Sequence, residues 1–296
     1  MTHKFLRFLT LNLWGDNGPW ENRMAFVAEK LNSLQPDVVA LQEVREVPGQ
    51  VINQAHALAH HRGYAHVFAS TTKWGGGDEG LAILSRAPIG AHELKMLPHA
   101  TETEGRGVLS ARIDSAEFGS FWVHSTHLSY REHEGDKREA QVLAIDDVLT
   151  AHKNDNPQIL MGDFNAVPHS DEIRWLCGLT TLGGRRVFYQ DAWDVLHSGQ
   201  PGFTWARANP YTERLAFLRA DRRLDYIFVT PPRRDGRGTI HSARLMFDEP
   251  VVMPSGERLF ASDHFGVVSE VQMMANPPPP PAGADPVAVA LAKAGG

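Results

Sequence analysis

The segment 159–170, ILMGDFNAVPHS, places a carboxylate and an amide at the end of an apolar run. Its three leading apolar residues predict a buried strand, and the Pro and polar residues that follow are typical of the start of a helix. Ligands of sheet-based enzymes usually bind at strand ends and in the loops after them. Asp163 and Asn165 are two residues apart, so on an extended backbone both side chains point to one face. Taken alone, the segment is equally consistent with an Asx turn that has no catalytic part.

Short strand-like segments of this kind recur along the chain, with helix-like segments between them. Many short strands with alternating faces and no interior linker predict one α/β domain, in which two sheets pack together and helices lie outside. The run of three glycines within 73–80 instead predicts a mobile surface loop. Besides the segment above, strands are predicted at 5–13, 38–41, 64–70, 81–84, 91–97, 107–113, 118–127, 224–229, 239–247 and 265–271, and helices at 21–34, 51–61 and 132–152.

Composition excludes several classes of protein. The chain has 296 residues, of which 42% are hydrophobic and 22% charged, and its net charge is -6, as in ordinary soluble globular proteins. No stretch approaches the roughly 20 apolar residues of a membrane-spanning helix, and the N-terminus does not resemble a signal peptide, so we expect no integral membrane association. A single cysteine, Cys177, allows no internal disulfide and fits the cytoplasm. Mild acidity argues against indiscriminate coating of DNA, while it leaves a local basic groove open.

The last residues differ from the rest of the chain. Five consecutive prolines begin at Pro277, and a Gly/Ala-rich end follows them. Such a proline run predicts a stiff polyproline II spacer, and the small side chains after it offer little to pack. We therefore expect a catalytic domain over 1–275 and a disordered tail over 276–296, with a peptide-recognition role for the prolines as the alternative.

Polar residues able to bind metal stand at the ends of six apolar strands. A carboxylate beside an apolar run is costly unless it is paired, hydrogen-bonded or bound to a cation. One such residue would be ordinary, but six strand ends of this type predict a common rim where they converge. These residues are Asn12, Glu43, His127, Asp163 with Asn165, Asp225, and Asp263 with His264.

Glu, Asp and Asn oxygens together with two histidines suit a hard divalent ion, Mg²⁺, whose coordination is completed by water and a substrate phosphate. Mn²⁺ is the alternative. The chain has no cysteine cluster and no HExxH motif, which argues against a zinc site. It also lacks a Walker A motif and a Gly-x-Ser-x-Gly elbow, which argues against a P-loop and a serine hydrolase of that type.

Six motifs, in order along the chain, resemble those of the endonuclease/exonuclease/phosphatase, or DNase I-like, superfamily. They are TLNLWG, LQEV, STHL, GDFN, RLDYIF and SDH. Each is weak alone, but the ordered set is specific and spans most of the chain up to the tail. The resemblance implies a four-layered α/β sandwich of two mainly antiparallel sheets flanked by helices. It also implies Mg²⁺-dependent cleavage of a phosphoester.

The resemblance further implies the roles of the metal and water residues. Glu43 would be the main metal ligand, with Asn12 and Asp263 nearby to support metal, water or phosphate. Mg²⁺ would polarise the phosphoryl oxygens and stabilise the leaving oxygen. Asp163 would orient and deprotonate the attacking water, and Asn165 would hold the phosphate or that water.

The histidines complete the implied site. His264 and His127 would bind the non-bridging oxygens, and one of them would protonate the leaving group. Asp225 would hydrogen-bond His264, fix its tautomer and favour its charged form. Arg106 is a candidate phosphate contact, and a surface arginine is as consistent with the sequence. Which group is the base and which the acid stays open.

Several of these residues also have a simpler, purely structural explanation. His127 could cap a strand, Asn12 could form a turn, and Asp225 could be the buried partner of Arg222 or Arg223. Three tryptophans could line a substrate cleft or pack as ordinary core and loop anchors. They are Trp14, Trp74 and Trp205.

The motifs indicate the substrate less specifically than the reaction. Abasic-site endonucleases often have Asp or Asn where this chain has Trp14, and Tyr where it has His127. The first and third motifs look more like the sphingomyelinase-like and uncharacterised bacterial branches, although no export signal or apolar hairpin is evident. We expect a cytoplasmic phosphodiesterase acting on nucleic acid or on a small-molecule or lipid diester, with no protein partner evident. The alternatives are a DNA/RNA endonuclease or exonuclease, a sphingomyelinase-like lipid phosphodiesterase, and a non-catalytic binding or scaffold protein.

Overall fold

The computed structural model describes residues 4–47, 49, 52–60, 63–212 and 220–274. The predicted tail at 276–296 lies outside the described residues, so the predictions for it stay predictions. Within the described part, no helix is long and apolar enough to cross a membrane.

The first sheet has the strand order β12-β15-β1-β2-β5-β4, and β3 pairs with β2 beside this path. Among the described strands along this path, β1 and β2 pair in parallel, and every other neighbouring pair is antiparallel. Its strands are β1 (Phe5–Asn12), β2 (Val38–Val47), β3 (Ile52–Asn53), β4 (Ala65–Trp74), β5 (Gly77–Ser85), β12 (Ile240–Met246) and β15 (Gly266–Gln272).

The second sheet has the order β10-β11-β9-β8-β7-β6, with β8 and β9 as its parallel pair. A separate short hairpin pairs β13 (Val251–Val252) with β14 (Arg258–Leu259), in a segment for which the sequence predicts no strand. The strands of the second sheet are β6 (Ile89–Met96), β7 (Gly107–Ser115), β8 (Gly119–His127), β9 (Ile159–Asp163), β10 (Gln190–Asp191) and β11 (Asp225–Val229).

Three apolar cores separate four layers, which confirms the predicted sandwich. Between the sheets, the rings of Phe8 and Phe121 meet edge to face with centroids 6.2 Å apart. Leu31 and neighbouring helix residues pack on the outer face of the first sheet, and Trp175 belongs to the core outside the second. The helices are α1 (Trp20–Leu34), α2 (Gln54–His60), α3 (Gly135–Ala151), α4 (Asp171–Leu176) and α5 (Ala192–His197), with a 3₁₀ turn at Pro210–Thr212.

The prediction of a mobile loop over 73–80 is wrong. Strand β4 continues to Trp74 and β5 already begins at Gly77, with Trp74 opposite Gly77 in the register. Gly75 and Gly76 form the turn and have φ angles of 54° and 77°. Two-residue hairpin turns need positive φ at their central positions, which glycine adopts without steric cost. The glycine run therefore marks a tight hairpin.

Strand register brings the predicted strand ends together. Asn12 ends β1 and pairs in parallel with Gln42, so that Glu43 follows beside it. His127 ends β8 and pairs in parallel with Asp163, the last residue of β9. Asp225 opens β11 and pairs with Asp163 from the other side. The predicted strand end at Leu41 is wrong, because β2 continues to Val47, but its parallel pairing with β1 stops at Gln42. This pairing and that of β8 with β9 stop at the same edge of the sandwich, so side chains from both sheets face one another there.

Candidate active site

The amide of Asn12 connects the two sheets. Its Nδ2 donates to Glu43 Oε1 at 2.9 Å and to Asp163 Oδ2 at 3.1 Å. Its Oδ1 accepts from the backbone N–H of Trp14 at 2.9 Å, which fixes the orientation of the amide. In this arrangement the side chain orients two carboxylates, and its support of a metal ion stays a prediction.

Glu43 lies at an irregularity of its strand. The register of β2 against β5 shifts between Leu41 and Val44, and Glu43 has a φ of 50°. A bulge of this kind redirects a side chain, and positive φ at a non-glycine residue is costly unless its surroundings hold it in place. Its Oε1 lies 4.0 Å from His127 Nε2. The bulge thus turns the Glu43 carboxylate toward the other sheet.

Asp163 and Asn165 meet through a turn. The backbone N–H of Asn165 donates to Asp163 Oδ1 at 2.9 Å, and the amide of Asn165 donates to the carbonyl of Leu128 at 3.1 Å. With a φ of 49°, Asn165 is outside the strand, so the expected extended backbone is wrong at this point. The Asx turn is present and both residues nevertheless line one cavity. Burial raises the pKa of Asp163 to about 6, against the opposing charge of His264.

His127 is held by Arg106. Arg106 Nη1 lies 3.0 Å from His127 Nδ1, and because a guanidinium only donates, Nδ1 must accept. The ring proton is then on Nε2, 3.5 Å from Asp163 Oδ2. Burial, with the charge of Arg106 beside the ring, lowers the pKa of His127 well below its ordinary value. His127 is therefore a neutral donor at neutral pH.

His264 has the opposite character. Its Nδ1 donates to Asp225 Oδ2 at 2.8 Å, and its Nε2 lies 3.7 Å from Asp163 Oδ2. Burial opposes a charge on the ring, but Asp225 and Asp163 outweigh it and raise the pKa of His264 well above its ordinary value. Arg223, a predicted alternative partner of Asp225, pairs with Asp191 at 2.5 Å. His264 is therefore an imidazolium at neutral pH.

Carboxylates crowd the same region. Asp263 is half-buried at the edge of the cavity, where its Oδ1 accepts from the hydroxyl of Ser262 at 3.2 Å. Burial, together with the negative charge of Glu43, raises the pKa of Asp263 to about 7. Glu79 has its pKa raised to about 7 by the same two causes. Crowded carboxylate oxygens of this kind fit a hard divalent cation, whose charge would relieve their repulsion.

The atoms of a second donor group also lie close together. One ligand atom each from Asp163, Asp225 and His264 fall within 4.8 Å of one another. Two of these residues already share a hydrogen bond, and Asp225 is fully buried, so a cation there would have to displace that bond. The oxygens of Glu43 and Asp263 border the open cavity instead, and they are the more accessible donors.

A cavity of about 360 Å³ contains most of the predicted residues. Asn12 and Asp225 lie buried beneath it and act on its lining through hydrogen bonds. A larger hollow of about 540 Å³ lies at the opposite edge, where β1 and β2 begin, and it contains none of the predicted residues. Size alone therefore does not locate the site. The predicted residues that line the smaller cavity are Glu43, Arg106, His127, Asp163, Asn165, Asp263 and His264.

Sequence reasoning missed Glu79 and Arg23. Glu79 lines the cavity, and like the predicted residues it adjoins an apolar strand segment, but the glycine run before it suggested a loop. Arg23 is fully buried and donates to backbone carbonyls on both sides of the site, including Leu13 at 2.7 Å, Gly15 at 3.0 Å and Ala261 at 2.8 Å. It ties the loop after Asn12 to the segment before Asp263. Only the tertiary contacts reveal that role.

The three tryptophans differ. Trp74 and Trp205 line the cavity. Trp14 stacks on Tyr211 with ring centroids 4.9 Å apart, so it anchors the loop after β1.

The chain matches a family model and two curated proteins in sequence. The model of the Endonuclease/Exonuclease/phosphatase family matches residues 9–264. Protein angel of Drosophila melanogaster is 28% identical over 173 residues, which are 54% of this chain and 47% of that protein. Nocturnin of the same organism is 23% identical over 287 residues, 86% of this chain and 42% of that protein. The chain thus spans less than half the length of either curated relative.

Solved structures share the fold. Zebrafish (D. rerio) TDP2 complexed with a single-strand DNA product superposes with a TM-score of 0.70 at 20% identity, covering 90% of this chain and 98% of that one. At this identity the likeness shows the sandwich alone. The family match, in contrast, covers all six motifs and the residues that converge on the cavity. The chain therefore belongs to the Endonuclease/Exonuclease/phosphatase family, whose members are phosphoester hydrolases or nucleases.

Proposed function

We propose that the protein is a divalent-metal-dependent hydrolase that cleaves phosphodiesters by in-line attack of water, with Mg²⁺ as the metal and Mn²⁺ as a substitute. The observation that carries the proposal is the bridge from Asn12 to Glu43 and Asp163, since it joins a metal-type carboxylate of one sheet to a base-type carboxylate of the other. A cation held by Glu43 and Asp263 would neutralise the phosphoryl oxygens and the leaving oxygen.

Asp163 is the proposed base. It is buried, both of its oxygens are oriented by hydrogen bonds, and its raised pKa of about 6 suits proton transfer near neutral pH. Asn165, which borders the same cavity, would hold the phosphate or the attacking water.

The two histidines have different proposed roles. His127, neutral and held by Arg106, would donate Nε2–H to a non-bridging oxygen. His264, charged and held by Asp225, has a proton to give at Nε2, and we assign to it the protonation of the leaving oxygen. Burial, with Arg106, lowers the pKa of His127, while Asp225 and Asp163 raise that of His264, and these opposite charge states separate two roles that the motifs leave open.

Nuclease action is the second candidate. It is favoured by the single-strand DNA product bound to the D. rerio TDP2 neighbour. A binding or scaffold role on the same fold is less consistent with the chain, because all the residues expected for catalysis are present and most of them border one cavity.

One assay tests the proposal. The purified protein is incubated with bis-p-nitrophenyl phosphate, p-nitrophenyl phosphate, plasmid DNA and sphingomyelin, with Mg²⁺ and with EDTA. We expect diester cleavage that EDTA abolishes and Mg²⁺ restores, with little monoester cleavage. Asp163→Asn and His264→Ala should each lose at least about 100-fold in kcat/KM, as expected for removal of a proton-transfer group.

Asp171→Asn is the matched control, because Asp171 is exposed and pairs only with Arg174 on the surface of α4 in the described contacts. It should behave like wild type. Thermal melting of all variants separates lost chemistry from lost folding. Activity that survives EDTA, or that survives both site substitutions in folded protein, contradicts the proposal.

A further inference from the structure

Three arginine–aromatic pairs surround the candidate active site. Each guanidinium carbon lies within the range of a cation–π contact with its ring, and all three rings line the cavity. Arg106 and Arg222 line it as well. The pairs are Arg45 with Trp74 at 4.7 Å, Arg106 with Tyr130 at 5.9 Å and Arg222 with Trp205 at 4.7 Å.

Trp74 is the most exposed of these rings. It is 52% exposed, although the guanidinium carbon of Arg45, a residue of β2 that is only 1% exposed, lies 4.7 Å from its ring centroid. The tight turn at Gly75 and Gly76 follows directly, so the ring stands at the end of β4, where it lines the cavity. A large aromatic side chain held in place by a buried arginine, yet left open to water, is a surface that a flat ligand can cover.

Tyr130 presents a similar surface from the second sheet. It follows the end of β8 by three residues and is 44% exposed. Arg131 lies 4.8 Å from its ring and Arg106 lies on the cavity side. Trp74 and Tyr130 thus flank the same cavity from different sheets, next to the guanidinium that also holds His127.

Arginines beside exposed aromatic rings favour some classes of phosphoester substrate over others. Aromatic faces alone would also suit a quaternary ammonium group such as choline. Here each ring already contacts a guanidinium group, so an ammonium group placed on it would meet a like charge, whereas Arg106 and Arg222 would attract phosphate. A nucleobase has a flat face that stacks on such rings, and it is attached to an anionic backbone.

Resting on the proposed function, we propose that the substrate is a nucleotide-bearing phosphodiester, with bases beside the scissile phosphate stacked on Trp74 and Tyr130. The enzyme then acts on single-stranded nucleic acid or on its short fragments, because only unpaired bases expose their faces.

The test compares two substrates. One is a single-stranded thymidine tetranucleotide, and the other is the same molecule with tetrahydrofuran sites in place of all four bases. We expect wild type to prefer the first in kcat/KM. Trp74→Ala should reduce this preference by about 5- to 150-fold, the worth of one stacked base, and mainly through KM. Trp74→Phe should restore part of it, because phenylalanine retains a flat face. Tyr130→Ala should act in the same direction.

Phe188→Ala is the matched control, because Phe188 is 53% exposed and does not line the cavity. It should leave the preference unchanged. Equal cleavage of both substrates by wild type would overturn the stacking inference while the proposed function stands. An equal loss on both substrates in Trp74→Ala would overturn it too, since the ring would then act only through the hairpin. No metal-dependent cleavage of either substrate or of bis-p-nitrophenyl phosphate would contradict the proposed function itself.

Discussion

Substitution of Asp225 by Asn tests how the candidate site sets the charge of its histidine. The change keeps the size of the side chain and an oxygen that can accept from His264 Nδ1, which now lies 2.8 Å from Asp225 Oδ2. What it removes is a negative charge in a fully buried position. A buried hydrogen bond to a charged group contributes about 1.5–3 kcal/mol. If that contribution supports a charged His264 during the reaction, kcat/KM should fall by about 10- to 150-fold.

The substitution should also lower the melting temperature. It removes one partner of the buried ion pair with His264, and the new amide places an N–H donor in a buried position where Asp225 Oδ1 has no hydrogen-bond partner among the described residues. His264 can release its proton in the folded protein, which limits the loss. Activity measured well below the melting temperature therefore separates lost chemistry from lost folding.

The assay is the pH dependence of kcat/KM for bis-p-nitrophenyl phosphate at saturating Mg²⁺, with thermal melting in parallel. Asp225 raises the pKa of His264, so without its charge the imidazolium loses its proton at lower pH. The alkaline limb of the profile should therefore move to lower pH in Asp225→Asn. An activity within threefold of wild type, or a reduced activity with an unmoved alkaline limb, would refute the assignment of His264 as a charged acid held by Asp225.

Three further predictions concern the frame around the site. Arg23→Lys should raise the Mg²⁺ concentration needed for half-maximal activity, because a lysine cannot satisfy the several carbonyls that Arg23 holds on both sides of the site. An unchanged Mg²⁺ dependence would argue against a positioning role. Gly162→Ala should lower the free energy of unfolding in urea by about 1–3 kcal/mol or more and displace Asp163, because its Cβ would lie 2.0 Å from the carbonyl oxygen of Thr126. A variant as stable and active as wild type would contradict the register of β8 and β9. Burial lowers the pKa of His124 to about 3, so below about pH 6.5 the unfolded chain binds a proton that the folded protein excludes, and stability is lost progressively as pH falls. Relative to His124→Gln, wild type should therefore lose about 2 kcal/mol more between pH 7 and pH 5 in urea unfolding, and parallel losses would show that His124 is not the group responsible.

Local patterns of the sequence were enough to predict most of the sandwich. Apolar segments located β1, β7, β8 and β11 within a few residues of their bounds, since such segments must be buried. The prediction failed at 73–80, where glycine was interpreted as a sign of mobility. Glycine also satisfies the positive φ of a tight turn, and the sequence alone does not separate the two uses.

The chemistry-bearing residues could be found in the sequence because each interrupts or follows an apolar run. Glu79 follows the same rule and was lost only because the segment around it was interpreted as a loop. Arg23 follows no such rule, because it lies on a helix and acts through backbone carbonyls that are distant along the chain.

The sequence by itself determined which polar side chains interrupt or follow apolar segments, because burial of those segments dictates where strands form. Only the tertiary structure decided what those side chains do to one another. Burial together with Arg106 makes the imidazole of His127 neutral, and Asp225 makes that of His264 charged. Each of these pairs joins residues at least 21 positions apart. The bulge at Glu43 and the turn at Asn165 likewise depend on neighbours that hold a backbone conformation costly in isolation. Charge and direction are properties of packed neighbours, and for that reason they appear only when the two sheets come together.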